Sequence, residues 1–496
     1  MASPRYRDSP FLTGHHRPNR MEVDAPDLLI EGTLPSDLSG VFYRNGAEPL
    51  YPPTDEDYHW FDGDGMVYAF FIDRGRVSLR SRWVRTDKLE LELKHGRRLF
   101  GVHGNPATTD PLARGTRYNT ANTNVILHGG RLLALMEGAP PVRLDPRSLA
   151  TLGEEQYGGV ITTTFSAHPT VDYRTGEMLN IGAVPRARGA DPQVHYEIID
   201  RDGVLRHHEV IPVPHQTMMH TFFVTENYVV FPVTPLDISF ERALAGGPMV
   251  AWVPDRPTHL GVMARTGTAA DVRWFTAPSR HMMHEANVWE QHGQIIADVA
   301  AAEGTALFPD VDGRRRSHAE TRQSLRRWTI DPNRGLIGEE IISEHDIQFP
   351  RPDDRLMTRR SDQVFANSNL HSQNGRADGM DSVVRVDTAT GSDDFYHFGA
   401  GAATGEFIFA PRVGSTDGPG GLDGYVITLV HGADAPHTEL VVFDAADIRG
   451  GPLARAIVPY RIPSGFHCTY YSSDNPLYEQ ALRAGEEPAD HGRRHA

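Results

Sequence analysis

Asn124-Val-Ile-Leu-His-Gly-Gly-Arg-Leu-Leu-Ala-Leu-Met-Glu137, followed after a short Pro-containing link by Leu144-Asp-Pro-Arg-Ser-Leu-Ala150, is the stretch that decides the fold. Two apolar runs flank a His-Gly-Gly turn, and Leu-Asp-Pro opens the next turn. This is strand–turn–strand grammar, the rhythm of a propeller blade. Short β-branched and aromatic runs recur at 65–72, 77–84, 228–232, 294–299 and 424–430, with turn dipeptides Asp-Gly at 202–203 and Asn-Gly at 374–375. The sequence holds 47 Gly and 36 Pro, too dense for long helices. Short helical pieces are expected at 239–245 and 475–484. Many short strands without βαβ alternation argue for an all-β propeller or sandwich. No fixed-period propeller signature appears. Seven blades would take about 70 residues each, more than a simple propeller repeat, so long loops would have to stack on one face. No domain boundary stands out. The expected organisation is a flexible arm at 1–20, one catalytic domain over 21–485 and a polar tail at 486–496. Segments 310–318 and 414–421 read as exposed loops.

Composition narrows the function. The net charge is −16 with no basic block, so nucleic acid is not an expected partner. Cys468 is the only cysteine, which excludes an intramolecular disulfide and any cysteine-based zinc or iron–sulfur centre. A reducing, cytoplasmic setting is expected. No apolar run is long enough to span a bilayer, and residues 1–20 lack the apolar core of a secretory signal. No basic amphipathic helix stands out, which leaves peripheral membrane contact and the oligomeric state open.

Four histidines stand in small or apolar contexts, apart from charged surface runs. They are His168 in Ser-Ala-His-Pro-Thr, His220 in Met-Met-His-Thr-Phe, His284 in Met-Met-His-Glu-Ala-Asn and His467 in Gly-Phe-His-Cys-Thr. Neutral imidazoles suit iron, copper, zinc and nickel. Four of them without a carboxylate ligand would leave two open positions on an octahedral iron. Their wide separation in sequence fits one ligand from each of several blades converging on a central axis. With 25 histidines in the sequence, any single one is more often a surface or core residue than a ligand.

The segment Glu31-Gly-Thr-Leu-Pro-Ser-Asp-Leu-Ser-Gly-Val-Phe-Tyr-Arg-Asn-Gly46, followed by His59-Trp-Phe-Asp-Gly-Asp-Gly-Met66, resembles the N-terminal signature of the carotenoid cleavage oxygenase family. Asn119–Val125, Ser166-Ala-His-Pro169, Asn287-Val-Trp-Glu290, Phe349-Pro-Arg351, Phe409-Ala-Pro-Arg412 and Gly465-Phe-His467 continue the resemblance in the family's order. It implies a seven-bladed β-propeller with a loop and short-helix dome over non-haem Fe(II), held by His168, His220, His284 and His467. The family orients three ligands with glutamates. Glu137 and Glu406 stand in two of those places, and Gln348 stands in the third. Gln348 can accept the hydrogen bond of a ligand histidine but brings no charge, which implies weaker iron binding or a raised potential. Glu344 is the nearby alternative.

The implied reaction is cleavage of a C=C bond by O2 to two carbonyl products, with no nicotinamide, flavin or phosphate-binding motif required. An apocarotenoid or carotenoid-like alkene is the first expectation, because Met136 makes the wall apolar and adaptable. The alternative is a stilbenoid or phenylpropenoid alkene, since Arg82-Trp-Val-Arg-Thr86 and Leu99-Phe-Gly-Val-His-Gly-Asn-Pro106 resemble that branch. That branch typically binds a phenol with a Tyr and a Lys, where His103 and Met136 stand in this sequence. Trp60 is expected to line the tunnel. A second alternative is an O2-independent isomerase on the same scaffold.

Overall fold

The computed structural model describes residues 6–486, except 57, 103–107, 184–190, 370–379, 417, 419, 433 and 434. Successive strands pair as antiparallel neighbours into seven sheets of four to six strands, the blades of a propeller. Blade one holds Gly40–Glu48, Asp64–Asp73 and Arg76–Trp83; blade two spans Asn124–His128 to Thr151–Glu154. Blades three to six follow in sequence order. Their innermost strands are Thr170–Asp172, Phe223–Val224, His281–Gln291 and Ile347–Arg351. Blade seven is built on Gly424–His431, with Ala403–Thr404 and Ile408–Pro411 on its inner side. The remaining two-stranded sheet, Leu236–Ile238 with Val250–Trp252, belongs to the loops above the propeller face.

The two terminal regions close the ring. Leu29–Gly32 pairs with Ala454–Val458 as the outermost strand of blade seven. Cys468–Ser472 pairs with Gly40–Arg44 as the innermost strand of blade one. Closure removes the open edge that a fan of sheets would otherwise present.

The core is seven slabs between blades rather than one centre. Val41 and Tyr43 of blade one pack on Val125 and Leu127 of blade two, while Phe42 and Phe70 pack on Ile427 and Leu429 of blade seven. Ile126 turns the other way, toward Met178 of blade three. Both faces of each blade are therefore buried, so its strands read as continuous apolar runs rather than alternating ones. Strands occupy 124–128, 131–135, 228–233, 294–302 and 424–431, close to the runs in the sequence.

Three helices are present among the described residues. Phe240–Leu244 and Pro476–Glu486 lie where the sequence places them, and Asp87–His95 is unexpected. The N-terminal segment also differs from expectation. Residues 6–20 are not a loose arm: Leu12 and His16 are buried, and the His16 ring meets Trp60 edge-on at 4.5 Å. Aromatic contact holds it where the sparse apolar content suggested freedom. Residues 1–5, and all of the expected tail except Glu486, lie outside the described residues.

Candidate metal centre and its cavity

Each of the four histidines sits at or beside the start of an innermost strand. His168 precedes Thr170–Asp172, His220 precedes Phe223–Val224, His284 lies within His281–Gln291 and His467 precedes Cys468–Ser472. Blades three, four, five and one thus each bring one imidazole to the axis. Their nearest ring nitrogens all lie within 4.8 Å of one another. Ring centroids are 4.1 Å apart for His168 and His467 and 5.2 Å for His284 and His467. At His284 the pairing register shifts on both sides, between Met282 and His284 and between Glu285 and Asn287. Such bulges re-aim a side chain beside an active site.

The donor set fits a metal. Nε2 of His168 and both ring nitrogens of His284 are buried without a protein hydrogen-bond partner, a costly state for groups with nothing to bind. Burial, and then the neighbouring imidazoles, hold His168 and His284 well below the ordinary histidine range. Burial lowers His467 too, against the pull of Glu406. These rings are neutral at pH 7, the form that ligates a cation.

The three remaining blades supply the groups behind the four histidines. From blade two, Glu137 Oε1 lies 2.5 Å from Nδ1 of His220. From blade seven, Glu406 accepts from Nδ1 of His467 at 3.3 Å and from the Cys468 amide at 2.6 Å. It also accepts from Nη1 of Arg351 at 3.3 Å. Burial pushes both carboxyls up, but His220 at Glu137 and Arg351 with His467 at Glu406 outweigh it, so both stay below the usual glutamate range. Gln348, from blade six, lines the same cavity as His284. Its expected hydrogen bond to a ligand histidine is not made to His284, since neither ring nitrogen there has a protein partner. Glu344 is exposed and does not take its place.

Sequence reasoning missed the neighbours on the axis. Phe349 holds φ at +48° and sets its ring 4.8 Å from His284 and 5.2 Å from His467. A non-glycine residue there is strained, and such strain clusters at functional sites. Arg351, partly buried, clasps both oxygens of Asp354 at 2.7 Å. Glu285 follows His284, accepts from the Thr221 hydroxyl and is pushed up to about 8 by burial. The Phe-Pro-Arg tripeptide was the only signal in the sequence for any of these.

Above the histidines lies a cavity of about 280 Å³. Trp60, Phe61, Met136, Met218, Met283 and Phe466 give it apolar walls. The Trp60 ring stacks on Phe466 with centroids 4.4 Å apart. Sδ of Met136 is turned onto Thr120, accepting from its amide at 3.2 Å and its hydroxyl at 3.4 Å. His103 lies outside the described residues. No helix among the described residues is long and apolar enough to cross a membrane.

Comparison with known proteins gives this architecture its relatives. The family model described as retinal pigment epithelial membrane protein matches residues 16–472. Isoeugenol monooxygenase of Pseudomonas putida is 33% identical over 479 residues, covering 94% of this chain and 99% of that protein. The crystal structure of Pseudomonas brassicacearum lignostilbene dioxygenase matches with a TM-score of 0.89 at 35% identity, covering 95% of this chain and 100% of that one. Cobalt-substituted Synechocystis apocarotenoid oxygenase matches at 0.81 and 29% identity, over 92% of this chain and 98% of that one. The chain belongs to the retinal pigment epithelial membrane protein family, the carotenoid cleavage oxygenases, and is an enzyme of its double-bond-cleaving oxygenase class.

Proposed function

We propose that this enzyme is an Fe(II)-dependent oxygenase that uses O2 to split the alkene bond of a phenylpropenoid or stilbenoid substrate, giving two carbonyl compounds. The observation that carries it is the convergence of His168, His220, His284 and His467, of which His220, His284 and His467 line the floor of an apolar, aromatic-walled cavity. The four imidazoles would hold Fe(II), which supplies the one-electron chemistry that makes O2 reactive toward an alkene. O2 and the alkene are then the only substrates, and the overall change places one oxygen atom on each former alkene carbon.

The protein's own residues do the rest. Glu137 and Glu406 orient the rings of His220 and His467, which keeps the far nitrogen of each free to ligate. Trp60, stacked on Phe466, offers a flat face to a planar conjugated substrate. The methionines and phenylalanines keep water from the reacting carbons. The cavity volume lies near the lower end of the range for small-molecule sites, which suits a one- or two-ring alkene better than a long polyene. The isoeugenol and lignostilbene relatives favour the same branch. The free, buried Cys468 supports a cytoplasmic setting.

One observation favours an apocarotenoid instead: Met136, turned onto Thr120, leaves that wall without a cation for a phenolate. Incubation of iron-loaded protein under 18O2 with isoeugenol-type phenylpropenes, hydroxystilbenes and apocarotenals, with products read by mass spectrometry, separates the readings. Labelled aldehydes from the aromatic panel are expected. Labelled products from apocarotenals alone would move the assignment to the second reading, and turnover without O2 would establish an isomerase. His284→Ala should lose iron and activity together; full activity in that variant would remove His284 from the ligand set.

A further inference from the structure

We propose that His195, Glu197 and His208, on the two outer strands of blade three, form a second divalent-cation site, separate from the four-histidine centre. The strands Gln193–Ile199 and Leu205–Pro212 are antiparallel, and Glu197 lies directly opposite His208. His195 precedes Glu197 by two residues, so both side chains emerge on the same face of the sheet. Nδ1 of His195 is 3.1 Å from Nε2 of His208, and Oε1 of Glu197 is 3.8 Å from that same nitrogen. All three ligand atoms lie within 4.8 Å of one another. Around a tetrahedral zinc with bonds near 2.0–2.1 Å, ligand atoms sit about 3.3 Å apart. The imidazole nitrogens share a hydrogen bond at close to that separation, so a cation would take the place of the proton between them, with Glu197 Oε1 at 3.8 Å as the third donor.

The donor types choose the class of ion. Two imidazoles and one carboxylate suit zinc, nickel or copper, whereas magnesium and calcium prefer an all-oxygen shell. Glu197 is only 2% exposed, and a buried carboxylate gains most from a bound cation. His208 is exposed at the rim, which gives an ion a way in.

The site also has a fixed support. Nδ2 of Asn180 donates to Oε2 of Glu197 at 2.8 Å, which holds Oε1 toward His208. Oδ1 of Asn180 accepts from the Ser166 amide at 2.9 Å, and the Ser166 hydroxyl accepts from the His168 amide at 2.8 Å. Three hydrogen bonds thus join the cluster to the backbone that carries His168. The donors of the second site are distinct from the four histidines, so its occupancy does not depend on which metal they hold.

The test is titration of iron-loaded protein with Zn2+ by calorimetry, with zinc and iron both counted by mass spectrometry after gel filtration. One zinc per protein molecule is expected in addition to the iron, with iron content unchanged. His208→Ala, a change at the exposed rim, should weaken that zinc about tenfold or more while iron and oxygenase activity persist. His195→Gln is the second variant and should do the same. Zinc uptake matched by equal loss of iron would overturn the proposal. So would wild-type zinc affinity in both variants, or no zinc retained by the wild-type protein.

Discussion

Replacing Glu406 by Gln tests how the centre is held. The carboxylate serves three donors at once: the His467 ring N–H, the Cys468 amide and Arg351. An amide has a single acceptor oxygen, and the shortest of the three contacts, to Cys468 at 2.6 Å, keeps it. The NH2 group then faces Nδ1 of His467, donor against donor. Relief requires His467 to move its proton to Nε2, the nitrogen that would ligate the proposed metal. Removing such an orienting partner typically weakens a metal about 10- to 100-fold, or ~1.4–2.7 kcal/mol. Arg351 also loses an anionic neighbour, at about 1.5–3 kcal/mol for a hydrogen bond to a charged group. It keeps both oxygens of Asp354, so the fold should survive. Competition with a chromophoric Fe(II) chelator reads the first quantity and the urea midpoint reads the second. Iron retention within about twofold of wild type, in a protein with a lowered urea midpoint, would show that the Glu406–His467 contact does not set the ligand's tautomer.

The other predictions concern positions that depart from expectation or carry a buried titratable group. Gln348→Glu supplies the missing third carboxylate and should tighten iron against the same chelator; unchanged competition would mean that residue 348 does not reach a ligand. Met136→Lys should raise kcat/KM for 4-hydroxylated styryl substrates over their methyl ethers, and an equal effect on both would show that the position does not meet the phenol. His128 is held neutral by burial at about 4 against an ordinary value of 6.5, with Nε2 on the Gly176 carbonyl at 3.0 Å. Between those values the unfolded state binds more protons than the folded one, so stability falls as pH drops, by roughly 3 kcal/mol in all. Urea midpoints at pH 7 and pH 4.5 should converge more in His128→Gln than in wild type; an identical pH response would refute the assignment.

Legibility followed from how each element is stabilised. The strands were readable because interblade burial needs apolar side chains on both faces, as Val125, Ile126 and Leu127 show by packing alternately toward blades one and three. Ring closure was not, because nothing in Leu29–Gly32 or Cys468–Ser472 names the distant strand it joins. Helix Asp87–His95 had signals that Gly and Pro density obscured. Thr86 caps its first turn, accepting from the Leu89 amide, and Gly96 ends it at φ +65°. Its buried face is also disguised, since Lys88 and Glu92 are fully buried in an ion cluster with Asp64 where an amphipathic pattern calls for apolar residues.

The site divides along the same line. Small or apolar contexts marked four of the 25 histidines and the family resemblance implied their role, but their convergence is a property of seven blades closing. Once the ring is closed, each blade brings one group to the axis: imidazoles from four blades, carboxylates from two and Gln348 from blade six. The neutral amide and the strained backbone of Phe349 are consecutive on that blade. The ring of Phe349 packs on His284 and His467 beside that amide. Packing by an aromatic ring fixes a histidine's orientation without fixing its protonation state. His284 is therefore held by contact where His220 and His467 are held by charge, and it is the proposed ligand whose metal affinity should respond most to a carboxylate introduced at 348.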